Sequence, residues 1–448
     1  MLLYYWTIIK TKGAFIYNDI IKTYEFVHIR NKIKTINVTT DKRDLFLHIK
    51  LNPEKECCPF CNIANYVINE YVKSKITHSI TITRKTYIIF YRRRYKCKTC
   101  NKTFYENDPF TDHKFRLSKL TIMNILDYLK DFNHSFTGAA RYFNTSVNTV
   151  INLFDHYVKA ERNKLPKVLC IDEVHIKSNI KYPYACVLFD FHNSKIVDVL
   201  KTRRKEYLIR YFERFSISEL DNVEYVVMDL WAPYKDVVRR FMPKAKIVAD
   251  AFHVVTNINR ILDKKRIQVM NYYLKLENEN LNYSNDFGYL LKKFSWMIRH
   301  NKKNIKGRYL WIYKYKFSVY SFDLLEHLLS SNKELKEIYD LKHIYQDFNS
   351  YSNIETAEER LLDLIDRFRN HNIVEIREYG KTLNHWNKEI INSFTKYDGV
   401  RYSNGRLEST NRNIKTIIRN AFGVTNFERF RARVMYSINK NVSLNLRK

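Results

Sequence analysis

The chain has 448 residues and carries 78 Lys and Arg against 47 Asp and Glu, a formal net charge of +31. This length excludes a peptide hormone or a disulfide-stapled miniprotein, and 45% hydrophobic content excludes a fibre or a disordered chain. We expect about three compact domains. The basic excess favours a polyanionic partner, most commonly nucleic acid, with an anionic membrane surface as the alternative.

Targeting signals and cysteine usage indicate where the protein works. No run of about 18 apolar residues occurs, and residues 1–9 lack the basic start of a secretory signal. Four of the seven cysteines form two close pairs, which in a chain without an export signal favours metal ligation over disulfides. The sequence therefore predicts a cytoplasmic protein that does not span a membrane.

The first structural motif is a pair of Cys-x-x-Cys sequences in residues 51–112, after a segment, 1–50, to which we assign no role. Residues that alternate like β-strands separate the two pairs, a spacing typical of a zinc ribbon with one structural Zn²⁺. Ordinary free cysteines are the alternative, and Cys57 leaves the first ligand open. The basic run 92–94 either contacts phosphates or is a solvated face. The predicted zinc ligands are Cys58, Cys61, Cys97 and Cys100.

Residues 113–162 predict three short helices that resemble a helix-turn-helix DNA-binding domain. Apolar residues recur at helical spacing in the second helix at Phe136, Ala139, Ala140 and Phe143, and in the third at Val147, Val150, Ile151 and Phe154. Thr145 or Ser146 caps the third helix. Its polar face would present Asn148, Thr149 and Asn152 to base edges in the major groove. Any helical hairpin could show the same pattern.

Residues 163–253 read as strand, strand, strand, helix, strand, helix, strand, which predicts a mixed α/β sheet with its first three strands antiparallel. Three apolar strands end in Asp172, Asp229 and Asp250. Buried carboxylates are costly unless paired or metal-bound, so we expect these to converge on Mg²⁺. Two ions about 3.5–4 Å apart would support phosphoryl displacement. The alternative is that each Asp caps the following helix.

A fourth acid lies far downstream. Read as a helix, residues 403–419 place Arg412, Lys415 and Arg419 each within about 40° of Glu408 around the helix axis. In the functional interpretation, Glu408 binds the metal ions and the three basic side chains contact DNA phosphates. The alternative is an exposed helix with an i,i+4 Glu–Arg pair.

Taken in chain order, these motifs resemble the DDE transposases with an RNase H-like fold, specifically the ISL-three (ISL3) family of bacterial insertion-sequence transposases. The resemblance runs from about residue 55 to the end of the chain. It implies that Asp172, Asp229 and Glu408 are catalytic and bind two Mg²⁺ or Mn²⁺ ions, with Asp250 as the rival of Asp229. His253, in an Asp-x-x-His motif, supports the site, contacts DNA, or is merely hydrogen-bonded.

The resemblance also implies an RNase H-like core, in parts 163–253 and 401–448, interrupted by an all-helical insertion over 254–400. We expect the insertion's core at Leu324, Leu325, Leu328, Leu361, Leu362 and Ile365. Its residues Trp296, Trp311 and Trp386 are expected in that core, with stacking on flipped bases as the alternative.

These expectations add up to a DNA transposase. It would bind the element's terminal inverted repeats, hydrolyse a phosphodiester and transfer the freed 3′-hydroxyl to target DNA, acting as a homodimer or larger assembly on DNA. One alternative is a DNA-binding regulator or domesticated transposase without cleavage activity. Another is a structural or membrane-surface protein.

Overall fold

The computed structural model describes residues 31–41, 44–78, 85–112, 115–176, 182–279 and 286–439. The chain divides into two compact units. Unit 1 contains the chain up to residue 160 and again from residue 416, and unit 2 contains residues 161–415. Within the described ranges, no helix is both long and apolar enough to cross a membrane.

The strands are β1 (Ile33–Asp41), β2 (Asp44–Leu51), β3 (Tyr66–Thr77), β4 (Thr86–Cys97), β5 (Thr103–Tyr105), β6 (Val168–His175), β7 (Tyr184–Asp190), β8 (Lys195–Leu200), β9 (Tyr225–Met228), β10 (Lys246–Ala249), β11 (Tyr309–Ile312), β12 (Phe317–Tyr320), β13 (Lys396–Tyr397) and β14 (Val400–Arg401). The helices are α1 (Lys119–Tyr128), α2 (Phe136–Tyr142), α3 (Val147–Tyr157), α4 (Lys205–Phe212), α5 (Ile217–Asp221), α6 (Ala232–Phe241), α7 (Ala251–Asn278), α8 (Phe287–Lys293), α9 (Ser295–Arg299), α10 (Ser321–Ser330), α11 (Lys333–Tyr351), α12 (Ala357–Arg369), α13 (Val374–His385), α14 (Asn387–Asn392), α15 (Gly405–Asn420) and α16 (Phe427–Asn439).

A five-stranded sheet forms the first half of unit 1. Its central strand β4 runs parallel to β2 and antiparallel to β3 and β5, while β1 pairs with β2. Apolar side chains alternate along β2 and β4, and the buried ones share one core because successive side chains point to opposite faces. Residues 33–51, to which the sequence assigned no role, thus belong to the same sheet as Cys97. Residues 1–30 lie outside the described part of the chain.

Three short helices, α1 to α3, form the second half of unit 1. Each begins at a serine whose hydroxyl accepts a backbone N–H of the first turn, and Ser146 is the cap of α3. The apolar face of α3 is displaced from the predicted one. Val150 and Phe154 are buried with Leu153 and Tyr157, whereas Val147 is exposed.

The C-terminal helix α16 packs on these three helices. Tyr436 enters their core and donates a 3.0 Å hydrogen bond to the carbonyl of Leu126. Arg429 donates two hydrogen bonds to Asp155, at 2.9 and 2.6 Å. The sequence placed everything from 401 onward in the catalytic core, whereas α16 belongs to unit 1, where its buried face packs on α1–α3.

A second five-stranded sheet organises unit 2, in the order β10-β9-β6-β7-β8. Strands β6, β9 and β10 are parallel, and β6, β7 and β8 form an antiparallel meander. The mixed α/β sheet and its order of strands are as predicted, but two helices, α4 and α5, stand between β8 and β9 where the sequence predicted one. Pro233 lies in the first turn of α6.

Helices α7 to α14 share one continuous hydrophobic core with this sheet. Residues 254–400 are mainly helical, but the prediction of an all-helical insertion is wrong, because β11 and β12 form an antiparallel hairpin within it. Leu362 is exposed, while the other five predicted core residues of the insertion are buried: Leu324, Leu325, Leu328, Leu361 and Ile365.

Candidate active site

Three aspartates occupy neighbouring register positions in or directly after the adjacent parallel strands β6, β9 and β10 of the unit 2 sheet. The parallel register that pairs Cys170 with Val227 continues to Asp172 beside Asp229. The register between β9 and β10 likewise continues from Met228 and Ala249 to Asp229 and Asp250. Asp229 and Asp250 directly follow their strands, whereas Asp172 lies within the longer β6 and not at its end. Because neighbouring strands are about 4.8 Å apart, this register brings the three carboxylates together.

His253, in the first turn of α7, joins two of these aspartates. Its Nε2 lies 3.0 Å from Oδ1 of Asp229 and 3.9 Å from Oδ2 of Asp250. Asp250 is 2% exposed, and its Oδ2 accepts no hydrogen bond from any described residue. One ligand atom from each of the three residues lies within 4.8 Å of the others. Such an unsatisfied buried oxygen, beside a second carboxylate and an imidazole, fits a cation site.

The protonation equilibria show how much negative charge the cluster concentrates. Burial raises the pKa of Asp172 from 3.8 to about 7, and the charge of Asp229 adds to this shift. Burial also raises the pKa of Asp250 to about 6; His253 opposes this, whereas Asp229 and Glu408 add to it. Burial alone would lower the pKa of His253, but its hydrogen bond to Asp229 and the surrounding carboxylates outweigh burial and raise it. A divalent cation bound at this cluster would offset the charge of the carboxylates.

Helix α15 carries the distant glutamate to the cluster. Asn404, fully buried, donates a 3.2 Å hydrogen bond to the carbonyl of Ile171, and Asn411 donates one of 2.8 Å to Oδ2 of Asp172. Glu408 lies between these two anchors, at helical spacing from both, and is half-buried. Its electrostatic repulsion of Asp250 is a further sign that it shares the site.

Asn411 is the site residue that sequence reasoning missed. It is buried, and its Oδ1 accepts no hydrogen bond from a described residue. Both carboxylate oxygens of Asp172 accept a hydrogen bond, one from the amide of Asn411 and the other from the backbone N–H of Glu173 at 2.7 Å. The available signal was the spacing Glu408-x-x-Asn411, which places both side chains on one helical face.

The side chains of the predicted DNA contacts differ in their exposure to solvent. Arg412, Lys415 and Arg419 of α15 are exposed, and so are Asn148 and Asn152 of α3. Thr149 is half-buried, and its backbone N–H and its hydroxyl both bond the hydroxyl of the capping Ser146. We therefore expect Asn148 and Asn152 to be more available to a ligand than Thr149.

The four predicted zinc ligands of unit 1 also come together. The Sγ atoms of Cys58 and Cys100 lie 3.6 Å apart, as do those of Cys61 and Cys97, and all four lie within 4.8 Å of one another. Four sulfurs around tetrahedral Zn²⁺ at about 2.3 Å would be about 3.8 Å apart. The cluster is thus compatible with zinc, and Cys57 is exposed outside it.

The two Cys-x-x-Cys turns have the same backbone shape. Each is followed by an asparagine in the left-handed conformation, Asn62 and Asn101, both with φ of 58°. The backbone N–H of Cys100 lowers the pKa of the Cys97 thiol to about 6, while burial acts in the opposite direction and the N–H of Thr99 adds to the lowering. Backbone N–H groups aimed at sulfur favour the thiolate, which is the form that binds metal.

The basic run 92–94 is largely committed to the fold. Arg93 is buried, and its Nε donates a 2.8 Å hydrogen bond to Glu106. Arg94 pairs with Glu70 at 2.7 Å, and Nε of Arg92 donates to the carbonyl of Glu106. These contacts hold β3, β4 and the segment after β5 together, so they favour a structural role for the run.

Two comparisons with known proteins agree with each other. The family model for DDE transposases of the ISL3 type, described as "Transposase", matches residues 169–434. The chain is also similar to the transposase for insertion sequence element IS1001 of Bordetella parapertussis, with 20% identity over 394 residues. That similarity covers 87% of this chain and 90% of the other protein.

Proposed function

Because the chain belongs to the ISL3 family of insertion-sequence transposases, we propose that it is a DDE-type DNA transposase in which Asp172, Asp229 and Glu408 carry catalysis. The observation that supports this most strongly is the shared register of three aspartates, of which Asp172 and Asp250 are buried and Asp229 is half-buried. Helix α15 adds Glu408 to the same end of the sheet through the hydrogen bond between Asn411 and Asp172. The reaction is hydrolysis of a DNA phosphodiester followed by attack of the freed 3′-hydroxyl on target DNA.

The family implies divalent metal, and the residues present fit two Mg²⁺ or Mn²⁺ ions. Asp172, Asp229 and Glu408 would hold them, with Asp250 as the rival of Asp229 because it lies in the same layer. The ions would supply electrostatic stabilisation of the attacking and leaving oxygens. Asn411 and the N–H of Glu173 orient the Asp172 carboxylate, and His253 links Asp229 to Asp250.

The order β10-β9-β6-β7-β8 supports an RNase H-like catalytic core. The first three strands in sequence form an antiparallel meander, and the fourth and fifth add in parallel beside the first. In such a sheet the carboxyl ends of the parallel strands lie at one edge, where ligands of α/β sheets commonly bind. Residues from 254 to 400 interrupt this core as an insertion.

We assign DNA recognition to α1–α3 as a helix-turn-helix, with the zinc ribbon beside it in the chain. In this assignment Asn148 and Asn152 face base edges in the terminal inverted repeats, and Arg412, Lys415 and Arg419 neutralise phosphates. The net charge of +31 supports a polyanionic partner. Transposition joins two element ends, so we propose a homodimer or larger assembly on DNA, acting in the cytoplasm.

A cleavage assay on element ends tests this function. The purified full-length protein, a duplex carrying the element's terminus and Mg²⁺ should yield a nick at the terminus. Asp172→Asn and Glu408→Gln should each lower its rate by at least about a hundredfold, since each removes a metal ligand. Asp190→Asn, in the same sheet but outside the cluster, is the matched control. Specific DNA binding without cleavage under Mg²⁺ or Mn²⁺ would instead identify a regulator or domesticated transposase.

A further inference from the structure

The β11–β12 hairpin of unit 2 packs most of one face against the main core, although Phe317 at the end of that face is exposed, and it carries aromatic rings on its other face. The paired residues Leu310 and Val319 pack against the main core, and Ile312 is buried. Side chains on the opposite face point outward because strand residues alternate. That outer face carries Tyr309, which is 74% exposed, and Trp311, which is 49% exposed.

Tyr320 completes this outer face opposite Tyr309. The two ring centroids lie 5.6 Å apart, and Trp311 pairs with Ser318, whose small side chain leaves the indole ring uncovered. A Cβ at position 307 would overlap the Tyr320 ring, so Gly307 permits the close contact of that ring with the backbone. Tyr309 and Tyr320 thus contact each other, and Trp311 lies on the same face of the hairpin.

The hairpin is also fixed at its turn and is strongly basic. Asp286 accepts hydrogen bonds from Lys314 and from the hydroxyl of Tyr315. The sequence from residue 301 to 322 contains six Lys and Arg residues and no Asp or Glu. All six are exposed. Lys303 pairs with Asp347 and Lys314 with Asp286, whereas the other four form no ion pair with a described residue: Lys302, Lys306, Arg308 and Lys316. Such a patch repels other cations and attracts a polyanion.

We infer that the outer face of this hairpin, Tyr309, Trp311 and Tyr320, stacks on unpaired bases of a DNA strand while the surrounding cations neutralise its phosphates. Bases within a duplex already stack on their neighbours, so exposed rings select a single strand. The inference rests on the proposed function, since cutting near a terminus creates ends whose bases can leave the duplex. The three tryptophans of the insertion differ in burial. Trp386 is buried and Trp296 packs against the core, so of these three only Trp311 is available to stack on a base.

Binding of a short fluorescent oligothymidylate to the zinc-loaded full-length protein, in a buffer without Mg²⁺ or Mn²⁺, tests the inference. Trp311→Ala should weaken this binding about fivefold or more, and Trp311→Phe should restore most of the affinity, because stacking needs only an aromatic face. Tyr313→Ala is the matched control. Tyr313 is equally as exposed as Tyr309 but lies in the turn, outside the paired strands. Its removal should leave the affinity unchanged, and neither variant should change affinity for duplex DNA of equal length.

Several results would overturn the inference. Equal losses in Trp311→Ala and Tyr313→Ala, or no loss in either, would exclude a specific stacking face. Trp311→Ala that leaves oligothymidylate binding intact but dissociates an oligomer would assign the face to a second copy. If Trp311→Ala loses binding to phosphatidylserine vesicles but keeps oligothymidylate binding, the outer face would be assigned to a membrane surface. The assay contains no Mg²⁺ or Mn²⁺, so its outcome does not depend on whether the protein cleaves DNA. A cleavage-inactive wild type would refute the proposed function and leave this measurement interpretable.

Discussion

Substitution of Asp172 by asparagine should stabilise the protein at neutral pH when no Mg²⁺ or Mn²⁺ is bound at the acidic cluster. Burial and Asp229 raise the pKa of this carboxyl from 3.8 to about 7. A shift of this size corresponds to about 4 kcal/mol of differential free energy between folded and unfolded states. Asparagine removes the charge and keeps the volume. Its amide oxygen can still accept from the N–H of Glu173, and the amide of Asn411 can rotate to present its unpartnered Oδ1.

The sign of the pH dependence follows from the raised pKa. Protonation of Asp172 stabilises the folded state fully below about pH 4, and this contribution is lost as pH rises through about 7. Wild type in a buffer without Mg²⁺ or Mn²⁺ should therefore lose stability between pH 4 and 8, and Asp172→Asn should lose less. At pH 8 the variant should be more stable by about 2–4 kcal/mol, a rise in melting temperature of roughly 5–10 °C.

Thermal unfolding followed by tryptophan fluorescence measures this difference across the pH range. Mg²⁺ should then raise the melting temperature of wild type at pH 8 more than that of the variant, because the variant lacks one ligand. Asp190→Asn is the control, since Asp190 accepts three hydrogen bonds that close the turn after β7. A variant that is less stable than wild type at every pH would refute the reasoning, because Asp172 would then be a structural acceptor.

Three further changes probe other parts of the molecule. Zinc removal or Cys61→Ser should destabilise the ribbon by several kcal/mol, on the order expected for small metal-held modules, and a zinc-release assay should give one ion per chain. Arg429→Met should cost up to about 1 kcal/mol, since its pair with Asp155 is partly exposed, and should speed proteolysis of α16. Lys342→Met leaves the carbonyls of residues 298–300 without their donor and should cost about 3 kcal/mol by thermal unfolding; an unchanged melting temperature would contradict this role.

Local patterns in the sequence determined much of this protein. Apolar runs that end in or contain aspartate identified β6, β9 and β10, because a strand buried on both faces reads as a continuous hydrophobic segment. Two Cys-x-x-Cys turns predicted the sulfur cluster, since each turn sets its own geometry over a few residues. Serine at the start of a helix predicted the cap of α3, because capping is a contact within one turn.

The tertiary structure decided what depends on residues far apart in the chain. Parallel pairing placed Asp172, Asp229 and Asp250 in one layer, and no local pattern specifies the register between strands joined by long crossovers. The same holds for Asn411, whose partner lies in another element, and for α16, whose apolar stripe fits several possible surfaces. Whether an aromatic residue such as Trp311 is core or surface depends on which face of its hairpin meets the core, and that is set only when the whole unit packs.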